Sequence, residues 1–77
     1  MEFKLYSRSN CQLCENMEEE LRPFVEQYRI TVIRRYIDNE PELEQQFGSR
    51  VPVLMRNNKV LCEYFLDPEV LLNEISQ

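Results

Sequence analysis

The chain has no histidine, only one glycine, and three cysteines among its 77 residues. Without histidine there is no imidazole to act as a general base, to balance a thiolate, or to complete a mixed zinc site. An odd cysteine count argues against a structural disulfide framework, since small secreted scaffolds usually carry an even set. In a reducing compartment a close cysteine pair is more often catalytic or metal-binding. No stretch approaches the ~18 continuous apolar residues of a membrane span, and Met1 to Tyr6 lacks the basic start and long apolar middle of a secretion signal. Basic charge is also scarce. With 9 basic against 14 acidic side chains the formal charge is −5, so the long-range field repels phosphate backbones. The length allows one small domain, residues 1–77, with a single core and little stability to spare. The expectation is a soluble, cytoplasmic monomer with neither nucleic acid nor membrane as partner.

What is present alternates between β-prone and helical stretches. Phe3 to Tyr6 reads as a strand that runs into the polar loop SRSN, where Ser9 or Asn10 can cap a helix. Leu13, Met17, Leu21, Phe24, Val25 and Tyr28 recur at spacings of three and four, which marks one buried helical face. Glu18, Glu19 and Glu20 form its solvated side, with Glu18 and Arg22 as a favourable helix pair. Pro23 interrupts this pattern and predicts a kink or break. Ile30 to Ile37 is a β-branched second strand, and its Arg34 and Arg35 fit a sheet edge.

Asp38 or Asn39 can then cap a short helix with Pro41 in its first turn, Leu43 and Phe47 on one face and Gly48 at its close. VPVLMRNNKVLCEY supplies two strands joined at Asn57 and Asn58, an antiparallel hairpin. Asp67 caps, Pro68 opens, and Val70, Leu71, Leu72 and Ile75 bury a last helix. The order is strand, helix, strand, helix, strand, strand, helix, and the first strand-helix-strand is expected to be a parallel crossover.

The chemistry concentrates in SRSNCQLCENM. Cys11 and Cys14 stand where a strand ends and a helix begins, so Cys11 faces backbone N–H groups that lack a partner within the helix. Such an end stabilises a nearby anion by ~0.3 to 1 kcal/mol, or about 2 when partly buried, which lowers a thiol pKa by roughly 0.2 to 1.5 units. Arg8 pushes the same way and Glu15 opposes it. Cys14 lies one turn further in on the same side, within reach of a disulfide after a small adjustment. These positions divide the labour: Cys11 attacks a substrate disulfide, and Cys14 resolves the mixed disulfide. Two inert packed thiols, a zinc site and a metal-bridged dimer are the competing readings. Zinc is disfavoured because a closed site needs four ligands, and the chain adds only Cys62. No resident metal is expected. Cys62 itself reads as a small apolar side chain of the hairpin, with a regulatory thiol as the rival idea.

The combination of LYSRSNCQLC, a β-branched strand ending in YID, then SRVPVLMRNNKVLCE and a closing FLDPEVLL, resembles the glutaredoxin-like branch of the thioredoxin superfamily. More narrowly, it resembles the short bacterial glutaredoxin-like proteins. The resemblance implies an α/β, thioredoxin-like β-α-β-α-β-β-α fold with a four-stranded mixed sheet in the order 2-1-3-4, flanked by three helices. It implies thiol-disulfide oxidoreductase activity and a cis Pro52 facing Cys11, with the Val51 backbone free to pair with an extended substrate. Arg8, Gln12, Leu13, Val51 and Pro52 would then border the substrate. Two departures stand out. Leu61, Cys62, Glu63, Tyr64 and Phe65 occupy the place of the usual Gly-Gly pair, and Gln12 and Leu13 replace a Pro-aromatic dipeptide. No cofactor is expected, and glutathione stays open as a co-substrate. The implied partners are a disulfide-containing protein or small thiol, and a reductase or glutathione as electron donor. A binding module that keeps the scaffold without catalysis is the alternative.

Overall fold

The computed structural model describes residues 1–77 as seven elements: β1 (Glu2–Ser7), α1 (Gln12–Tyr28), β2 (Thr31–Tyr36), α2 (Pro41–Phe47), β3 (Val53–Arg56), β4 (Lys59–Glu63) and α3 (Pro68–Ile75). The strands form one sheet in the order β2-β1-β3-β4. β1 runs parallel to β2 and antiparallel to β3, which is antiparallel to β4. This is the thioredoxin-like topology, with β2 and its arginines at one edge.

Alternation along the strands sorts the apolar residues into two layers. Phe3 and Leu5 of β1, Leu54 of β3 and Cys62 of β4 face Met17 and Leu21 of α1 and Leu71 of α3, with Ile30 and Leu66 closing the layer. The other side carries a smaller cluster of Ile37, Phe47 and Val53, bordered by Tyr6, Leu43, Val51 and Met55. There the Tyr6 and Phe47 rings stack with centroids 4.4 Å apart and seat α2 on the sheet. Leu5, Leu54 and Leu71 are completely inaccessible, so truncating any one to alanine costs about 2–5 kcal/mol.

Several local expectations are corrected. α1 runs unbroken through Pro23, which is exposed on the solvent side, where water can satisfy the carbonyl that loses its partner. Neither Ser9 nor Asn10 caps α1; the cap is Cys11. Asp38 and Asn39 do not cap α2 either. Its cap position is Glu40, whose carboxylate is held by Arg35 and makes no capping bond, while the Asp38 carboxylate is committed to Ser9. Gly48 ends α2 with right-handed backbone (φ −48°), so its value lies in size: a Cβ there would strike the Glu44 carbonyl. Glu18 pairs with Arg34 of β2 at 3.0 Å, and Arg22 pairs instead with Glu19.

The hairpin and the last helix follow the sequence reading. Asn57 takes the positive φ (57°) between β3 and β4. Asp67 caps α3 by accepting from the Glu69 and Val70 N–H groups, with Pro68 in the first turn. Far from the cysteine pair, the buried Glu74 of α3 accepts from Arg56 at 2.7 Å and Lys59 at 2.6 Å, pinning the helix to the hairpin. Those two cations hold its carboxyl below the usual range, Lys59 contributing most.

Candidate active site

The register places the end of β1, the start of β3 and the end of β4 together, since Tyr6 pairs with Val53 and Val53 with Glu63. The loops that leave this end of the sheet and the first turn of α1 carry the residues of the candidate site.

Cys11 is the N-cap of α1. Its backbone is extended (φ −118°, ψ 110°), and its Sγ accepts the Cys14 N–H at 3.2 Å. The sulfur therefore fills the role that a serine or aspartate oxygen usually takes, and it satisfies one of the orphan donors of the first turn. Asn10, with φ 55°, makes the sharp entry that allows this. Cys11 is half-buried while Cys14 is only 2% exposed. The two are joined as a disulfide, their Cα atoms 5.3 Å apart. The first residue of the pair is thus the more exposed and the second the more shielded.

Gln12 is exposed beside the pair, and its side chain donates to Asn16 Oδ1 at 2.9 Å. Leu13 is half-buried. Arg8 turns toward α2: it donates to both carboxylate oxygens of Glu44, Nη1 at 3.0 Å, and to the Gly48 carbonyl at 2.9 Å. The hydrogen bonds to Glu44 raise the arginine pKa and lower that of the carboxyl. Its charge is largely spent in this pair, so the push on Cys11 expected from Arg8 is reduced. Asp38 accepts from the Ser9 backbone N–H at 3.2 Å and from the Ser9 hydroxyl. Those bonds, with help from Arg8, depress its pKa. Asp38 and Glu44 together fasten the loop that precedes Cys11.

The Val51–Pro52 peptide bond is cis, Pro52 is buried, and Val51 has no backbone hydrogen-bond partner for its N–H or its C=O. The loop before it is braced from β4. The Tyr64 N–H donates to the Pro52 carbonyl at 2.9 Å, the Tyr64 hydroxyl donates to the Ser49 carbonyl at 2.9 Å, and Arg50 pairs with Glu63. Cys62 stands apart, 5% exposed in the larger core, where burial pushes its thiol pKa up. No group of three or more cysteine, aspartate or glutamate side chains is placed to hold a metal ion. No helix is long and apolar enough to cross a membrane.

The braces are what sequence reasoning missed. Ser9 and Asp38 lie 29 residues apart, and Arg8 and Glu44 lie 36 apart. Nothing in local pattern announces such pairs.

A strand leading into a capping cysteine, a shielded cysteine one turn on and a cis-proline at the same end of the sheet describe a domain of the thioredoxin superfamily. Within it, residues 2–76 match the model of the glutaredoxin-like domain (DUF836), and the chain belongs to that family. Among solved structures, it resembles the solution structure of Ne2328 from Nitrosomonas europaea, with TM-score 0.84 and 35% identity over 95% of this chain and 88% of that one. It also resembles XcR50 from X. campestris, with TM-score 0.74 and 30% identity over 96% and 95% of the two chains. Thioredoxin 1 from Thermosipho africanus shares the fold alone, with TM-score 0.68 at 15% identity over 99% and 91%. No curated protein matches the chain.

Proposed function

We propose that the protein is a thiol-disulfide oxidoreductase in which Cys11 is the nucleophile and Cys14 the resolving thiol. The observation that carries this reading is the asymmetry of the pair. Cys11 is half-buried and its Sγ accepts a helix N–H at 3.2 Å, while Cys14 is only 2% exposed. A hydrogen bond and a helix end both favour the thiolate over the thiol.

In the forward direction the Cys11 thiolate attacks one sulfur of a substrate disulfide. The Cys11–substrate bond forms, the substrate S–S bond breaks, and the departing sulfur takes up a proton. Cys14, deprotonated, then attacks Cys11 Sγ, which closes the intramolecular disulfide and releases the second substrate thiol. Two electrons pass from the protein to the substrate, and the two protons that its sulfurs take up come by way of solvent, to which Cys14 gives up its own. An external thiol or dithiol must reverse the sequence to restore the reduced protein. The Val51 N–H and C=O supply one donor and one acceptor for an extended substrate segment. Gln12 and Leu13 border the reacting sulfur. Arg8 positions the loop through Glu44. This chemistry suits a reducing compartment such as the cytoplasm, with a monomeric protein acting on disulfides of proteins or small thiols.

The test is kinetic. In the reduced protein Cys11 is expected to alkylate faster than Cys14 and Cys62 below pH 8, measured by mass-resolved peptide mapping. Equal, slow alkylation of all three would sink the reading. A C14S variant incubated with cell extract should retain its substrate as a mixed disulfide at Cys11, and glutathione or a thioredoxin reductase, supplied separately, would identify the donor class.

A further inference from the structure

The most exposed large apolar side chain of the molecule lies at the same end of the sheet as the cysteine pair. Phe65 is 69% exposed, and Tyr64 beside it is 41% exposed. β4 lies two strand spacings, about 10 Å, from β1, the strand that leads into the Cys11 loop.

Its exposure is held in place by the backbone. Tyr64 adopts φ 67°, an unfavourable conformation for an aromatic residue. It stays there because its N–H and hydroxyl are tied to the Pro52 and Ser49 carbonyls, and the Phe65 N–H closes a tight turn onto Glu63 at 2.6 Å. A turn that fixes a phenylalanine outward does nothing for the core, and strain of this kind tends to persist where it serves binding.

Next to Phe65 lies a hollow of about 470 Å³ lined by Leu61, Leu66 and Pro68, with Glu63 and Asp67 also in its wall. Its walls carry carboxylates and no basic side chain. The two arginines on the loops at this end are already engaged, Arg8 by Glu44 and Arg50 by Glu63. An anionic ligand such as glutathione, with two carboxylates, would meet acids here and find no free cation.

We propose that Phe65 and this hollow receive an apolar side chain next to the reactive cysteine of an extended, non-acidic polypeptide substrate, and so select polypeptide disulfides over glutathione disulfide. This rests on the thiol-exchange reading above. The free Val51 N–H and C=O would hold the same segment by its backbone, and Phe65 would read its side chain.

Single-turnover oxidation of the fully reduced protein separates the possibilities without any electron donor. The oxidants are disulfide-linked dimers of one short peptide with leucine, serine or glutamate flanking the cysteine, and glutathione disulfide. The leucine peptide should react roughly tenfold faster than the serine peptide, the increment of burying one apolar side chain, and the glutamate peptide and glutathione disulfide should be slowest. In F65S the leucine-to-serine ratio should fall to about one, while F65L should keep most of it. An unchanged ratio in F65S, or glutathione disulfide outpacing the leucine peptide, overturns the docking role alone. A concentration-dependent dimer of the wild type that F65S abolishes also overturns it, since a second copy would then cover Phe65. If no disulfide oxidises the wild type any faster than C11S, the exchange reading itself fails.

Discussion

Cys11 and Cys62 are the same side chain set in opposite surroundings. Cys62 lies in the larger core among Phe3, Leu54 and Leu71, with its pKa raised by desolvation. Cys11 lies where a strand gives way to a helix, half-open to solvent, with a backbone N–H aimed at its sulfur. The core uses the one thiol for its volume; the helix end can use the other for its charge. In the proposed chemistry reactivity follows from position, and Cys14 occupies the middle ground, buried yet joined to a half-buried partner.

The largest expected effect breaks the contrast outright. Cys11→Ser should reduce disulfide exchange to the uncatalysed background, because an alcohol of far higher pKa cannot replace the thiolate; turnover of a small chromogenic disulfide measures it. Next, Cys14→Ser should keep rapid alkylation at Cys11 but stop turnover on substrates that need resolution, leaving the mixed disulfide visible by mass spectrometry. Full turnover in C14S would assign resolution to a second thiol from solution.

Cys62→Ala should leave exchange unaffected and lower stability by about 1 kcal/mol, read from the urea midpoint. Cys62→Ser should cost somewhat more, since it sets a hydroxyl among apolar neighbours. Loss of exchange in a still-folded Cys62→Ala would expose a redox role for the core thiol.

A subtler contrast lies in acid. Asp38, Glu40, Glu44 and Glu74 all have depressed pKa values in the folded protein, set chiefly by hydrogen bonds from Ser9, Arg35, Arg8 and Lys59 respectively. Through this range the unfolded chain binds more protons than the folded one, so stability rises with pH. The contribution is complete above the ordinary carboxyl values of 3.8 and 4.5 and is lost as pH falls through the lower folded values. Urea midpoints between neutral pH and about pH 3 should decline accordingly. E74Q should flatten part of that decline without altering alkylation at Cys11, whereas D38N should flatten a part while loosening the loop that positions the sulfur.

Much of this contrast was legible in the chain itself. The period-two alternation Phe3, Leu5 and the three-and-four spacing of Met17 and Leu21 carry the fold, because burial of those faces is what assembles it. The CQLC pair after a strand located the end of the sheet where the candidate site lies. Local readings failed where a distant partner competed. Asp38 has the chemistry of a cap but is claimed by Ser9, Glu18 favours Arg34 over Arg22, and Arg8 spends its charge on Glu44. Pro23 misled in the other direction, since a penalty that is severe inside a core is mild on a wet helix face. Tyr64 and Phe65 marked a departure from the family pattern in sequence, yet only the folded turn shows one tied down and the other held out.

The hydrogen bond from Cys14 to Cys11 carries a last implication. In the proposed chemistry a single atom would both close the start of the longest helix and take on covalent cargo. The amide keeps its bond to that atom even while the sulfur is joined to Cys14, and a thiolate there would accept it more strongly, so the first turn should tighten when the pair is reduced and ionised. Amide protection at residues 12–14 would then report chemical occupancy from inside the fold, and a partner that feels the helix end could tell a charged carrier from a spent one.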